Sequence, residues 1–319
     1  MPSVCHPPQP IEAAAFRLAR EAVRALYAEL VLEPKPGLVS LRDTGSHHDM
    51  DARHFVRSLF ALRHYFAHMV RAGARQAAFE ELQALGLQAE ARMLRATGGI
   101  NTHRGAVFCL GLLCASAGWR VAQGQPLHAE GLRATLRSGW GAALSERAAQ
   151  VRRRPPASNG QRAAREHGLR SAGDEAALGF PVLFEISLPA LRQARSQGWP
   201  DRRARVQALF ATLAVLDDTN LVHRGGIEGL HFARQQAHRF LNQGGAQGPD
   251  WPERARAIHA QFVARRLSPG GAADLLGAAC WLDAVTVCPV GGLACDLAHD
   301  PAHDPARTSG LEMALESPP

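Results

Sequence analysis

From Ile11 to Leu32 apolar residues recur at the spacing of one helix face (Ile11, Ala15, Leu18, Ala22, Leu26, Leu30), and Pro34 and Pro36 end the run. The same rhythm predicts helices over about Asp49–Ala72 and Gln76–Ala96, and through "GAVFCLGLLCASAG" after a cap at Asn101 or Thr102. A further helix is expected over about His128–Val151, and then one over about Asp174–Gln197, where Pro181 and Pro189 are possible break points. Residues 201–216, 226–241, 252–266 and 270–284 complete the series. Between them, "RRRPPASNGQRAAREHG" holds turn residues and a charge run and reads as an exposed loop. Alternating strand patterns are scarce, alanine and leucine dominate, and β-branched residues are sparse. The prediction is an all-α protein: a single compact domain of about ten helices over 11–290, a flexible proline-rich start at 1–10, and a disordered tail at 291–319.

Composition narrows the setting. The longest apolar run has 13 residues, "AVFCLGLLCASAG", too short to cross a bilayer, and the N-terminus lacks the pattern of a signal peptide. The six cysteines form no C-x-x-C pair, so a reduced, soluble, cytoplasmic protein with no membrane partner is expected. The net charge of +7 is spread along the chain, without an arginine stripe interleaved with aromatics, and reads as a solvated basic surface more than a nucleic-acid footprint. Of the 36 basic residues only Lys35 is lysine, which singles out a place where a compact ammonium is needed and a planar guanidinium would not fit.

Candidate chemistry gathers in four glycine-bearing polar segments, each beside an apolar helix: "EPKPGLVSLRDTGSHHDMD" (33–51), "TGGINTHRGAV" (97–107), "DDTNLVHRGG" (217–226) and "LSPGGAADLLGA" (267–278). Glycines let backbone N–H groups approach a ligand, a helix N-terminus favours negative charge, and a neighbouring cation completes a phosphate site. A polyphosphate is therefore the first expectation for Lys35, Arg104, Arg224 and the pairs Gly98-Gly99, Gly225-Gly226 and Gly270-Gly271. The echo of Asn and His-Arg-Gly at 101–105 and 220–225 fits two helix starts lining one pocket, or an old duplication. Asp217 and Asp218, with Asp49, are the acids expected to hold Mg²⁺, which takes oxygen ligands and bridges to phosphate. Asp274, after the Gly-Gly turn, serves either a site or its helix dipole.

Taken in order, "PKPGLVSLRDTGSHHDMD", "GGINTHRGAVF", "DDTNLVHRGG" and "SPGGAADLL" resemble the motifs of the triphosphoribosyl-dephospho-CoA synthase family across residues 12–285. The resemblance implies an all-α enzyme that moves the 5-triphosphoribosyl group of ATP to the 2′-hydroxyl of 3′-dephospho-CoA and releases adenine. Its product, the precursor of a prosthetic group, would pass to a holo-transferase for the acyl carrier protein of malonate decarboxylase or citrate lyase. The form of "DDTNLVHRGG" favours the malonate decarboxylase branch. The chain departs from the family pattern at "SAGDEAALGFP" (171–181), where an arginine is missing, at His48 in place of a frequent lysine, and at Ala272 in place of a frequent serine.

Such a transfer passes through an oxocarbenium-like state, as glycoside hydrolysis does. It needs a triphosphate clamp, a carboxylate near the developing cation, a base for the hydroxyl, and help for the departing adenine. The expected clamp is Lys35, Arg104 and Arg224, with Mg²⁺ on Asp217 or Asp218 and the other acid stabilising charge or taking the hydroxyl proton. His103 or His223 would donate to a phosphate or assist the leaving base, and Asn101 and Asn220 would position sugar hydroxyls or complete a metal shell. A Mg²⁺-dependent N-ribosyl or ADP-ribosyl hydrolase, with water as acceptor, is the alternative these residues leave open.

Overall fold

Residues 11–286 are described in the computed structural model of the chain, and among them there is no β-strand. The expectations for 1–10 and for the tail at 291–319 fall outside the described residues. Thirteen α-helices follow one another: α1 (Ile11–Leu30), α2 (Ala52–Leu62), α3 (Tyr65–Ala74), α4 (Phe79–Ala96), α5 (Arg104–Ala122), α6 (Ala129–Arg153), α7 (Asn159–His167), α8 (Ala172–Ala177), α9 (Leu188–Ser196), α10 (Asp201–Val215), α11 (Thr219–Asn242), α12 (Trp251–Ala264) and α13 (Gly270–Val285). One π-helical turn, Leu183–Ser187, leads into α9.

Helix α5 explains the layout. Its apolar residues face every direction because it is surrounded by α1, α3, α4, α6 and α13, and most of its side chains are buried. Counted as a whole helix, not as its 13-residue apolar run, α5 is long and apolar enough to cross a membrane, contrary to the expectation from the run alone, but most of it is buried against its neighbours. Glycine sets its closest crossing: a Cβ on Gly73 of α3 would stand 1.8 Å from the Ala115 carbonyl oxygen, so the two backbones touch only without one. Polar ties fix the packing. The Tyr65 hydroxyl donates to the Val107 carbonyl at 2.9 Å, and the Trp281 indole joins α13 to the Leu18 carbonyl of α1 at 3.0 Å.

The element boundaries differ from expectation in four places. The single helix expected over 49–72 is two, parted at Arg63-His64, and Asp51, not Asp49, caps it, in a box with His54. The stretch read as an exposed loop contains α7, with Ser158 as its cap and Gly168 in the left-handed conformation as its stop. Of the two prolines, Pro181 follows the break at 178–180 and opens the next helical run, while Pro189 lies where the π-turn passes without interruption into α9. Helix α11 starts at Thr219, seven residues before the expected start, because Asp218 caps it; Gly226 (φ 65°, ψ −171°) then breaks its regularity without ending it.

Candidate active site

One cavity of about 720 Å³ collects most of the polar segments. Helices α5, α7, α8, α11 and α13 all begin at its wall, through Arg104, Asn159, Ala172, Thr219 and Gly270. The four longer ones direct the positive ends of their dipoles towards it. The far ends of α1 and α4 contribute Glu29 and Glu90, α2 contributes Phe55, and α6 contributes Leu144, Arg147, Ala148 and Val151.

The floor is acidic. Lys35 lies behind it, 2 % exposed, with its ammonium 2.7 Å from both the Glu29 carboxylate and the Glu29 carbonyl. Asp218, 1 % exposed, lies under the wall and accepts the backbone N–H of Asn220 at 3.0 Å and of Ala272 at 2.9 Å, tying the starts of α11 and α13 together. Burial lifts its carboxyl to about 6 despite those donors. Asp274 faces the cavity across the first turn of α5, near the Ala106 N–H. A Cβ at Gly105 would come within 2.0 Å of its Oδ2, so the carboxyl rests directly on the helix backbone. Burial, then the charges of Glu29 and Asp218, hold the Asp274 carboxyl well above the ordinary carboxylate range.

The rim is basic. Arg104 pairs with Glu90 at 3.1 Å. Arg224 donates to the Ser46 carbonyl at 3.1 Å and meets His47 Nδ1 at 2.8 Å, and burial and that guanidinium push His47 down to about 4. Arg147 has no ion pair or hydrogen bond among the described residues. His103, 3 % exposed, is pinned by Ser58 at 2.7 Å and set edge-on to Phe55; burial lowers it to about 3, so it is neutral, and its Nε2 has no protein partner. His223 instead is exposed, with Nε2 2.9 Å from the Asn159 amide.

Of the residues singled out in the sequence, Asn101, His103, Arg104, Asn220, His223, Arg224, Gly270 and Gly271 line this one cavity. Others do not. Lys35 is an internal counter-ion to Glu29, not a free phosphate cation. Gly98 and Gly99 finish α4, while Gly225 lies within α11 against Leu267, next to the kink at Gly226; none of the four lines the cavity. The acids named for a metal are dispersed: Asp217 is held by Arg234 at 2.6 Å and by the Arg170 N–H at 2.9 Å, Asp218 spends its oxygens on backbone donors, and Asp49 is exposed beside His47. No group of three metal-ligating side chains is assembled among the described residues. Sequence reasoning missed Glu29, Arg147 and the Ser158–Gln161 turn, which carry no local motif; Asp274 was visible after its Gly-Gly turn but was not distinguished from a dipole partner.

A family model described as ATP:dephospho-CoA triphosphoribosyl transferase matches residues 15–289. A protein of Stutzerimonas stutzeri, "Probable 2-(5''-triphosphoribosyl)-3'-dephosphocoenzyme-A synthase", is 40% identical over 278 residues, covering 86% of this chain and 93% of its own. Relatives called 2-(5''-triphosphoribosyl)-3'-dephosphocoenzyme-A synthase from Pectobacterium atrosepticum and Klebsiella pneumoniae are 38% and 37% identical, covering 82% and 85% of this chain and 87% and 90% of theirs. No solved structure matches.

Proposed function

This chain belongs to the ATP:dephospho-CoA triphosphoribosyl transferase family, and from that premise we propose that its cavity joins the triphosphoribosyl group of ATP to the 2′-hydroxyl of 3′-dephospho-CoA, with loss of adenine. The observation that carries the reading is the division of the cavity into a basic rim and an acidic floor. A triphosphate suits the rim, where Arg104, Arg147, Arg224 and the start of α7 supply positive charge. The ribose would then reach the floor, where the Glu29 carboxylate faces the positive charge that develops at C1′ as the glycosidic bond opens. Asn101, just before α5, and Asn220, in the first turn of α11, both line the cavity and suit sugar hydroxyls. His103, neutral and with a free Nε2, suits a hydrogen bond to substrate but carries no charge to offer a phosphate.

The acids chosen in the sequence for Mg²⁺ do not fit one ion, since Asp217, Asp218 and Asp49 are engaged or apart. We propose that any Mg²⁺ arrives with the triphosphate, held by phosphate oxygens and water. The form of "DDTNLVHRGG" supports the malonate decarboxylase branch for the product, delivered through a holo-transferase. Three buried free cysteines, Cys109, Cys114 and Cys280, support a cytoplasmic location.

The test is mass spectrometry of the purified protein with ATP, Mg²⁺ and 3′-dephospho-CoA. A coupled product with one adenine released per product, and none without dephospho-CoA, is expected. Adenine released at the same rate without the acceptor would overturn the transfer in favour of hydrolysis. Offering the product and a holo-transferase to both carrier proteins then tests the branch, with labelling of the malonate decarboxylase carrier expected.

A further inference from the structure

The reaction just proposed leaves one requirement without an obvious owner. Adenine departs with the electron pair of the C1′–N9 bond, and an unprotonated purine anion is a poor leaving group. Some group on the floor must supply a proton at that moment. Four carboxylates stand at or beneath the cavity surface, and three are committed. Glu29 is held by the Lys35 ammonium at 2.7 Å. Glu90 is paired with Arg104 at the rim. Asp218 is sealed beneath the wall, with its oxygens turned to the backbone of α11 and α13. Asp274 alone faces the cavity with no cation beside it, its carboxyl resting against the backbone at the start of α5.

We propose that Asp274, seated over the glycine at the start of α5, is the general acid that protonates the departing adenine. The placement has an independent companion. On the same wall, two residues from Gly105, the buried His103 ring presents an Nε2 for which the protein offers no partner, a mark of a position that substrate completes. The electrostatics agree with the placement: the groups facing Asp274 are Glu29 from α1, Asp218 from the α11 start and the Cys109 thiol, with Lys35 turned to Glu29 and His103 neutral. Burial and two neighbouring acids both favour the protonated form of this carboxyl.

The step balances. The C1′–N9 bond breaks with its pair on adenine, and the Asp274 proton goes to an adenine ring nitrogen. The acceptor 2′-oxygen bonds to C1′, and the proton it sheds restores the Asp274 carboxyl. This assignment rests on the transferase reading, and the two fail separately. If the wild-type protein releases no adenine from ATP and dephospho-CoA, the proposed function fails before Asp274 is tested.

The experiment compares ATP with N7-methylated ATP, whose base leaves as a neutral molecule and needs no proton. Asp274→Asn is expected to lower kcat with ATP by at least about a hundredfold. With the methylated nucleotide the deficit should shrink to about tenfold or less. A residue that only shapes the wall would lose equally with both nucleotides, and an equal loss overturns the proposal, as does near-normal kcat with ATP. Should the variant fail to fold, the wild-type pH profile decides. With ATP, kcat should fall on the alkaline side as the acid loses its proton; with the methylated nucleotide that limb should be absent. The same alkaline limb with both substrates overturns the assignment.

Discussion

Asp218→Asn tests the physical account of the floor without reference to turnover. The wild-type carboxyl is buried, accepts backbone N–H groups from two helices, and still titrates at about 6 where an ordinary aspartate titrates near 3.8. The difference, 6 less 3.8, is about two powers of ten in proton affinity, or about 3 kcal/mol at ~1.4 kcal/mol each. The sign follows from which state holds the proton. Between those pH values the folded protein binds more protons than the unfolded chain, so stability falls as pH rises. The favourable contribution is complete below the unfolded value and gone above the folded one. Asparagine cannot ionise, so the variant lacks this slope. It also turns an amide N–H₂ towards backbone donors, a fixed cost of about 1–3 kcal/mol that does not depend on pH.

The quantity to measure is therefore the difference in unfolding free energy between variant and wild type, from urea titrations at pH 4, 5, 6 and 7.5. It should move in favour of Asp218→Asn by about 2.5 kcal/mol from the lowest to the highest pH, most of the full ~3 because pH 4 lies just above the unfolded value, whatever its starting value. A difference that stays constant, or that moves towards the wild type, would refute the claim that burial outweighs the helix N-termini at Asp218. Such a result would mean that the donors of α11 and α13 stabilise the anion fully.

Four further outcomes follow from the packing and the rim. Lys35→Met should cost about 3–5 kcal/mol in urea unfolding by leaving Glu29 buried without its cation, and Lys35→Met combined with Glu29→Leu should recover much of it. Gly73→Ala, which would drive a methyl into the Ala115 carbonyl, should lose about 3 kcal/mol in thermal unfolding. Gly86→Ala, whose nearest neighbour would be 3.7 Å away, should gain about 0.5–1 kcal/mol from helix propensity. Arg147→Met should raise KM for ATP by about tenfold or more, the worth of a charge-assisted phosphate contact, with kcat little changed; an unmoved KM removes Arg147 from the clamp.

Local rules carried the secondary structure well because most of it depends on periodicity. The apolar face of α1, the all-round apolar α5 and the starts of α10, α12 and α13 fall within a few residues of expectation. The errors share a cause: a side chain's partner lay far away or its role was ambiguous. Asp218 caps α11 and simultaneously holds Ala272, 54 residues on, which no window of sequence reveals. Lys35 stands out in the sequence as the lone lysine, yet its neighbour is Glu29 within the fold and not a phosphate, because charge type alone does not say which side of a wall a residue occupies. Arg147 sits in an unremarkable stretch of α6 and gains its meaning only from the starts of α5 and α7 opposite it.

The repeated Asn and His-Arg-Gly cluster shows what such an echo can and cannot encode. Both copies do line one cavity, one at the start of α5 and one in the first turns of α11. Yet His103 precedes its helix and is buried and neutral, whereas His223 lies inside its helix and is exposed against Asn159. The glycines diverge further, since Gly105 makes room for Asp274 and Gly225 makes room for Leu267. Equal residues at unequal distances from a helix start acquire different chemistry, because the helix sets both the direction of each side chain and the donors it meets. Shared composition thus marks two segments that line one polar cavity, and the register of each helix decides which histidine is buried and which glycine bears an acid.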